Sequence, residues 1–345
     1  MRSFAIDARD DGVRLSRYLQ RVAPALPASL MYKYLREKKI KLDRKRCEAA
    51  TRLSAGQVLE LYISDEFFGE EQKHYDFMKA SRKLTVVYED SNMAVLFKPA
   101  GLLVHSDRDE YCDTLVGRFQ RYLYEKGEYD PESAAFTPAA CNRLDRGTQG
   151  LVLCAKSSSA ARELDGMIKR RLIDKRYLCV CDGEPPRGRQ YAWLEKNERS
   201  NTVKVTSERH GSAKEISTGF EVIAKHGGLC LVEAQLFTGR PHQIRAHLAY
   251  LGAPIVGDSK YGNPPLNKKY AEKSQLLCAY HLSFELDDEA KQGVLGYLDG
   301  KIISLGNVDF AKNILIMHRV STRKNDKKLK AVFLKIATRN SLYLA

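Results

Sequence analysis

A chain of 345 residues is too long for one small domain, and two domains are the natural expectation. Hydrophobic residues make up 43% of it, enough for a sizeable core, yet no apolar run reaches the roughly 20 residues a membrane helix needs. The formal net charge of +14 is placed at the ends: residues 1–63 hold 14 Lys and Arg against 7 Asp and Glu, residues 311–345 hold 9 against 1, and the stretch between is nearly balanced at 34 against 35. That distribution points to a polyanion gripped by the two ends. The eight cysteines are scattered without a CxxC pair, and Cys179-Val180-Cys181 alternates as strand residues do. They read as reduced and buried, not as a disulfide set or a metal site, and the N-terminus lacks the apolar core of a signal peptide. A cytoplasmic protein that contacts no membrane is expected.

In residues 13–22, Leu15, Tyr18, Leu19 and Val22 fall on one helical face, with Arg14, Arg17 and Arg21 on another. After Pro24 and Pro27, Ser29 is a candidate cap for a second helix, Leu30 to Lys38, carrying Lys33 and Arg36. Ile40 and Leu42 alternate with Lys39 and Lys41 as in a half-buried strand that begins after Lys38, and Val58–Ile63 is a second strand. Two short helices, a basic strand, a turn and another strand resemble the small RNA-binding domain named after a ribosomal small-subunit protein. The stripe Arg14, Arg17, Lys33, Arg36, Lys38, Lys39 and Lys41 suits phosphate contacts.

Residues 64–82, with little periodicity, read as a linker. A second domain over 83–310 opens with strands at Thr85–Tyr88 and Asn92–Phe97, then a Pro-Gly turn in Lys98-Pro99-Ala100-Gly101, and a helix from about Asp113 to Lys126. Leu151–Ala155 reads as a buried strand, and Ser157 or Ser158 as the cap of a helix Ser159–Arg170. Tyr177 begins an alternating strand, residues 184–192 are turn-rich, residues 202–222 read as strands, and Leu229–Phe237 is another. Pro241 suits the first position of a helix His242–Leu251 closed by Gly252. In residues 311–345, Leu329, Val332, Phe333 and Ile336 share one helical face, with Lys324, Lys328, Lys335 and Arg339 across the wheel. An amphipathic helix with a basic ridge and a disordered tail both suit that extension.

Three windows carry the chemistry. The first is Asn142-Arg143-Leu144-Asp145-Arg146-Gly147-Thr148-Gln149-Gly150, which sets a carboxylate in a tight loop at the mouth of a strand; alone, it reads first as a charged surface turn, since such turns are common and catalytic ones few. The second is Lys175-Arg176-Tyr177. The third is Gly239-Arg240-Pro241-His242-Gln243-Ile244-Arg245-Ala246-His247-Leu248, trailed by Gly257-Asp258 and Tyr261-Gly262. Together they resemble the RluA-type family of RNA pseudouridine synthases, whose pattern is H-R-L-D-x-x-T-S-G, K-x-Y and G-R-x-H-Q-I-R-x-H-L with a trailing G-D-x-x-Y-G. The likeness spans roughly residues 83–310, and Lys98–His105 matches a further K-P-A-G-L-x-V-H-P segment except at Ser106.

The resemblance implies an α+β fold: a mixed, largely antiparallel sheet flanked by helices with a central RNA-binding cleft, plus the small N-terminal α/β RNA-binding domain. It implies isomerisation of uridine in RNA, ribosomal RNA ahead of transfer RNA, by a monomer. No redox change or energy input is involved, so no cofactor is expected. Asp145 is then the essential aspartate, acting on the sugar as nucleophile or base. Arg245 is its cation partner, which meets the cost of burying a carboxylate. Tyr177 packs on the target base, and Arg143 fills the space of the flipped nucleotide. Arg240 and His242 line the RNA side, and His242 and His247 lack a third ligand at metal-binding spacing. Asn142 stands where the family has His, and Gln149 where it has Ser. The alternatives are a non-catalytic RNA-binding protein that keeps the fold and a hydrolase built on Asp145.

Overall fold

The computed structural model describes residues 1–68, 75–107, 110–134, 136–197 and 202–322, with side chains as far as Leu315. The C-terminal pattern around Leu329–Ile336 lies outside the described residues.

In the N-terminal unit, helices Leu15–Val22 and Ala28–Arg36 bury the apolar stripe expected of them: Leu15, Tyr18, Leu19, Val22, Met31 and Leu35. They pack on a four-stranded sheet in which Val58–Leu61 is flanked by Arg2–Ala5 and Ile40–Leu42, with Lys45–Arg46 beyond. Asp43 and Arg44 both adopt positive φ, the two-residue turn whose twist matches antiparallel strands, and Asp43 Oδ1 accepts the Val58 N–H at 2.8 Å. Two sequence expectations change here. Ser29 does not cap the second helix: Pro27 is the N-cap residue, and its carbonyl accepts from Leu30 and Met31. Arg21 leaves the exposed basic face; it lies 3.8 Å from the buried Asp10 and donates to the Ser133 carbonyl at 3.2 Å.

Among the remaining described residues, eleven strands form one sheet. Its order is Thr202–Thr206, Gly188–Asn197, Lys214–His226, Leu229–Leu236, Ile173–Asp182, Leu277–Phe284, Gln149–Ala155, Met93–Lys98 and Thr85–Glu89; Ala139–Ala140 and Ile302–Ser304 attach to two of these. All these neighbours are antiparallel except Leu277–Phe284 beside Gln149–Ala155. That parallel ladder holds only Cys278↔Gln149 and Ala279↔Gly150. Gly150 has φ +126°, and a Cβ there would lie 2.2 Å from the Ala279 carbonyl oxygen, so the two central strands meet only because this residue is glycine. The strand Leu277–Phe284 was not anticipated. Gly188–Asn197 begins within the stretch that reads as turn-rich, and Ile173–Asp182 starts four residues before Tyr177.

Helices Leu115–Glu125 and Gln243–Tyr250 cover one face, sharing a core with Leu96, Val152, Cys179 and Val232. On the other face, Ser158–Arg170, capped by Ser157, packs over Leu151 and Leu153. That core runs on without a break into the apolar residues of the N-terminal unit. Further along, Asp309–Thr322 lies over Leu178, Val180 and Leu231, burying Ala311, Ile314 and Leu315; residue 310, where the family likeness fades, falls inside this helix. Phe68 and Ala80, from the segment read as a linker, are buried.

Candidate active site

The sheet register assembles the site. Tyr177 pairs with Ala279, which pairs with Gly150, so the tyrosine stands in line with the mouth of the strand that follows the Asp145 loop. The loop closes through the Thr148 N–H, which donates to the Asp145 carbonyl at 3.0 Å, and Thr148 is in turn held by Gln275 Nε2 at 3.0 Å. From the facing helix, Arg245 donates through Nη1 to Asp145 Oδ2 at 2.7 Å. The Asp145 side chain is 25% exposed, against 6% for Arg245, so the carboxylate opens to solvent from a buried cation.

Pro241 is not the first helical residue. The helix starts at Gln243, and His242 is its N-cap residue in the left-handed region at φ +54°. The turn is locked by Gln243, whose Oε1 accepts from Thr238 Oγ1 at 2.9 Å and from the Arg240 N–H at 3.1 Å. Its Nε2 donates to the Ser217 carbonyl and to Thr218 Oγ1. His242 Nε2 comes within 3.8 Å of Asp145 Oδ1, while Nδ1 pairs with the Tyr261 hydroxyl at 2.9 Å. Burial holds His242 below the usual imidazole range, although Asp145 pulls the other way. His247 is a core residue: Nδ1 meets Thr218 Oγ1 at 3.0 Å, its ring stands edge-on to Phe220, and burial pushes it down to about 4.

Two residues that sequence reasoning left without a role hold the site together. Asp258 grips Arg245 with both oxygens, Nε to Oδ2 at 2.6 Å and Nη2 to Oδ1 at 2.9 Å, and its side chain is fully buried. Its Oδ1 also accepts the backbone N–H groups of Lys260 and Tyr261. One guanidinium thus serves two carboxylates, and the fork on Asp258 fixes the plane from which the third nitrogen reaches Asp145. Burial alone would raise Asp258 and lower Arg245, but each outweighs that for the other: the carboxyl is held down and the guanidinium up. The signal was present in the Gly257-Asp258 pair of the third window.

The second residue is Lys98, fully buried, whose ammonium donates to the carbonyls of Pro99 at 3.1 Å, Leu102 at 2.6 Å and Arg146 at 3.0 Å. Gly101 and Arg146 add two more bonds between the same loops. The K-P-A-G turn is therefore a clamp on the Asp145 loop. Burial brings Lys98 down to about 8, partly opposed by Asp145. A lysine depressed in the folded state binds fewer protons there than when unfolded between pH 8 and its ordinary value near 10.5, so stability rises with pH across that window. Below it, keeping the ammonium buried costs on the order of 3 kcal/mol. Lys98→Met should lose that rise, so urea denaturation should show the wild type gaining on the variant above pH 8. A parallel pH dependence of the two would contradict the burial of a charged Lys98. The variant also leaves three carbonyls without their donor, and its turnover should fall about tenfold or more through a loosened Asp145 loop.

The two departures from the family pattern have different consequences. Asn142 Oδ1 accepts the Leu153 N–H at 2.7 Å, tying the start of the loop to the strand it precedes. Gln149 opens that strand opposite Cys278. Arg143 is exposed on the loop and Arg240 is exposed ahead of the helix. On the N-terminal unit, Arg14, Arg17, Lys33, Arg36, Lys38 and Lys39 are exposed and Lys41 half-buried. Lys33 and Lys39 approach Glu37 at 3.9 and 3.0 Å, and Lys41 lies over the Tyr62 ring. The structure brings Asp145, Tyr177, Arg245 and His242 together.

Residues 92–250 match the family model described as RNA pseudouridylate synthase. The chain is 31% identical over 295 residues to ribosomal large subunit pseudouridine synthase C of Rickettsia felis, covering 81% of this chain and 92% of that protein. The chain belongs to the RluA-type RNA pseudouridine synthases. The protein of the same name from Vibrio cholerae is 29% identical, covering 75% of this chain and 80% of its own. Among solved structures, human RNA pseudouridylate synthase domain containing 4 superposes with a TM-score of 0.51 at 21% identity, over 68% of this chain and 93% of that one, a likeness of fold. As a pseudouridine synthase the chain isomerises uridine in RNA, and RNA is its partner. Among the described residues no helix is long and apolar enough to cross a membrane.

Proposed function

We propose that this synthase modifies uridines of large-subunit ribosomal RNA, with Asp145 as the essential carboxylate. The observation that carries the reading is Asp145 at 2.7 Å from a buried Arg245, beside Tyr177. The reaction breaks the bond from ribose carbon 1′ to ring nitrogen 1, turns the base, and joins carbon 1′ to carbon 5, whose proton then leaves. Asp145 either attacks the sugar or removes a sugar proton in the first step. Arg245, anchored by Asp258, holds the carboxylate's orientation through both bond changes. Tyr177 forms the floor on which the freed base turns. Burial and the nearby Asp145 both raise its phenol, which keeps the hydroxyl protonated as a donor to the base. Arg143, exposed beside Asp145, would fill the stack vacated by a flipped uridine, an extrusion that costs a few kcal/mol. Residues 1–63 supply phosphate contacts that hold structured RNA over the site. The ribosomal target rests on the names of the relatives in Rickettsia felis and Vibrio cholerae.

Release of tritium from carbon 5 of uridine in a large-subunit ribosomal RNA transcript separates the alternatives. An RNA-binding protein without activity releases none, and a hydrolase leaves abasic sites. Tyr177→Phe keeps the ring and loses the hydroxyl. It should bind the transcript normally and release tritium about 100-fold more slowly, the scale of a lost proton-transfer group. Wild-type rates would show that the ring alone matters.

A further inference from the structure

Among the described side chains, helix Asp309–Thr322 packs on its face of the sheet over Leu178, Val180, Ala224 and Leu231. At the other end of that face, Arg189, Tyr191 and Trp193 project from alternate positions of Gly188–Asn197, while the intervening Ala192 and Leu194 are buried on the opposite side. Phe237 joins them, its ring seated over Gly219, where a Cβ would come within 3.2 Å of it. The guanidinium of Arg189 stacks on Phe237 at 4.1 Å and lies 5.1 Å from the centre of Tyr191. The Tyr191 side is open, with the residue 60% exposed. Arg209 lies 5.6 Å over Trp193, and Lys204 stands on the same face opposite Glu195. Glu215, opposite Trp193, is the acidic neighbour, and Glu195 is engaged by Ser212.

This row of rings interleaved with cations is continuous with the active-site scaffold. Arg189 Nε donates to Ser217 Oγ at 2.7 Å, and the Ser217 carbonyl accepts from Gln243, two residues before Arg245. Phe237 leads directly into Thr238 and the Gly239–His242 turn. We propose that this strip is a second RNA-binding surface, on which unpaired nucleotides that pass from the target uridine around the edge of the sheet stack against Tyr191, while Arg189, seated on Phe237, and Arg209 meet their phosphates. The proposal rests on the pseudouridine synthase reading. Its physical warrant is that aromatic faces take bases of any sequence when cations track the backbone beside them. A duplex hides its base faces and would gain little from the rings.

The test uses the full chain, a fluorescein-labelled single-stranded oligouridine of about 12 nucleotides carrying one thiouridine, and an RNA duplex of equal length. Tyr191→Ala should weaken single-strand binding about tenfold while leaving duplex binding within about twofold, and Tyr191→Phe should bind as wild type. Thiouridine crosslinks should fall on residues 189–193. Unchanged single-strand affinity in Tyr191→Ala, an equal loss on both RNAs, or crosslinks confined elsewhere would overturn the proposal. Tyr191 is solvent-exposed, so a thermal melt matching wild type is expected and excludes misfolding as the cause. Tritium release by the wild type is scored separately: its absence would refute the catalytic reading, while the strip stands or falls on the binding and crosslinking results.

Discussion

Asp145→Asn is expected to lower tritium release by about 10⁴-fold or more, the scale on which removing a single indispensable catalytic group acts. The substitution replaces one carboxylate oxygen with an amide nitrogen. The side chain keeps an acceptor for Arg245 Nη1, and the loop keeps its Thr148 turn and its Lys98 clamp. The basic surfaces are untouched, so affinity for a ribosomal RNA transcript should stay within about threefold of wild type, as the phosphate contacts dominate binding. Filter binding and tritium release on one preparation separate the two effects. Residual turnover within about tenfold of wild type would remove Asp145 from the reaction, because an amide is neither a nucleophile nor a base at neutral pH.

Arg245→Met should damage both the fold and the reaction. Asp258 is fully buried and takes two bonds from Arg245, so the variant strips a buried carboxylate of its guanidinium and leaves it the backbone N–H groups of Lys260 and Tyr261. Breaking a buried pair from one side costs about 3–5 kcal/mol, and urea denaturation should show a loss of that size. Adding Asp258→Asn removes the stranded charge but keeps an oxygen for the two backbone donors. The double variant should therefore regain most of the stability, because a neutral buried group needs no counterion. It should not regain activity, since nothing then holds Asp145. Recovery of turnover with stability would mean that Arg245 is a structural residue only. Failure to recover stability would mean that the fork on Asp258 is not what Arg245 contributes to the fold.

Much of this was legible because local pattern and tertiary role coincide. The helices Leu15–Val22 and Ser158–Arg170 announce themselves by one apolar stripe each, and the latter by its Ser157 cap. The grouping of Asp145, Tyr177 and Arg245 was suggested only by a family resemblance, since the three lie on a loop, a strand and a helix far apart in sequence. What escaped notice has physical causes. Leu277–Phe284 sits at the centre of the sheet and is buried on both faces, so it shows no alternation, and Tyr280, His281 and Ser283 interrupt its apolar run. The start of Ile173–Asp182 is masked by Asp174, Lys175 and Arg176, of which Arg176 bonds to Asp174 along the strand at 2.8 Å and to Glu233 across it at 3.0 Å. Helix starts misled at Ser29 and Pro241, because the residue just ahead of each helix took the cap position in backbone geometry. Lys98 and Asp258 sat inside recognised motifs, but their partners are loop carbonyls and a distant guanidinium, which spacing along the chain does not reveal.

The central claim is that this chain converts uridine to pseudouridine in large-subunit ribosomal RNA through Asp145. The measurement that bears on it most directly is pseudouridine mapping of total RNA from cells lacking the gene, complemented with either the wild-type chain or Asp145→Asn. One or more pseudouridines in large-subunit ribosomal RNA should vanish on deletion, return with the wild type, and stay absent with the variant although the variant protein accumulates. An unchanged ribosomal map, or restoration by Asp145→Asn, would contradict the account.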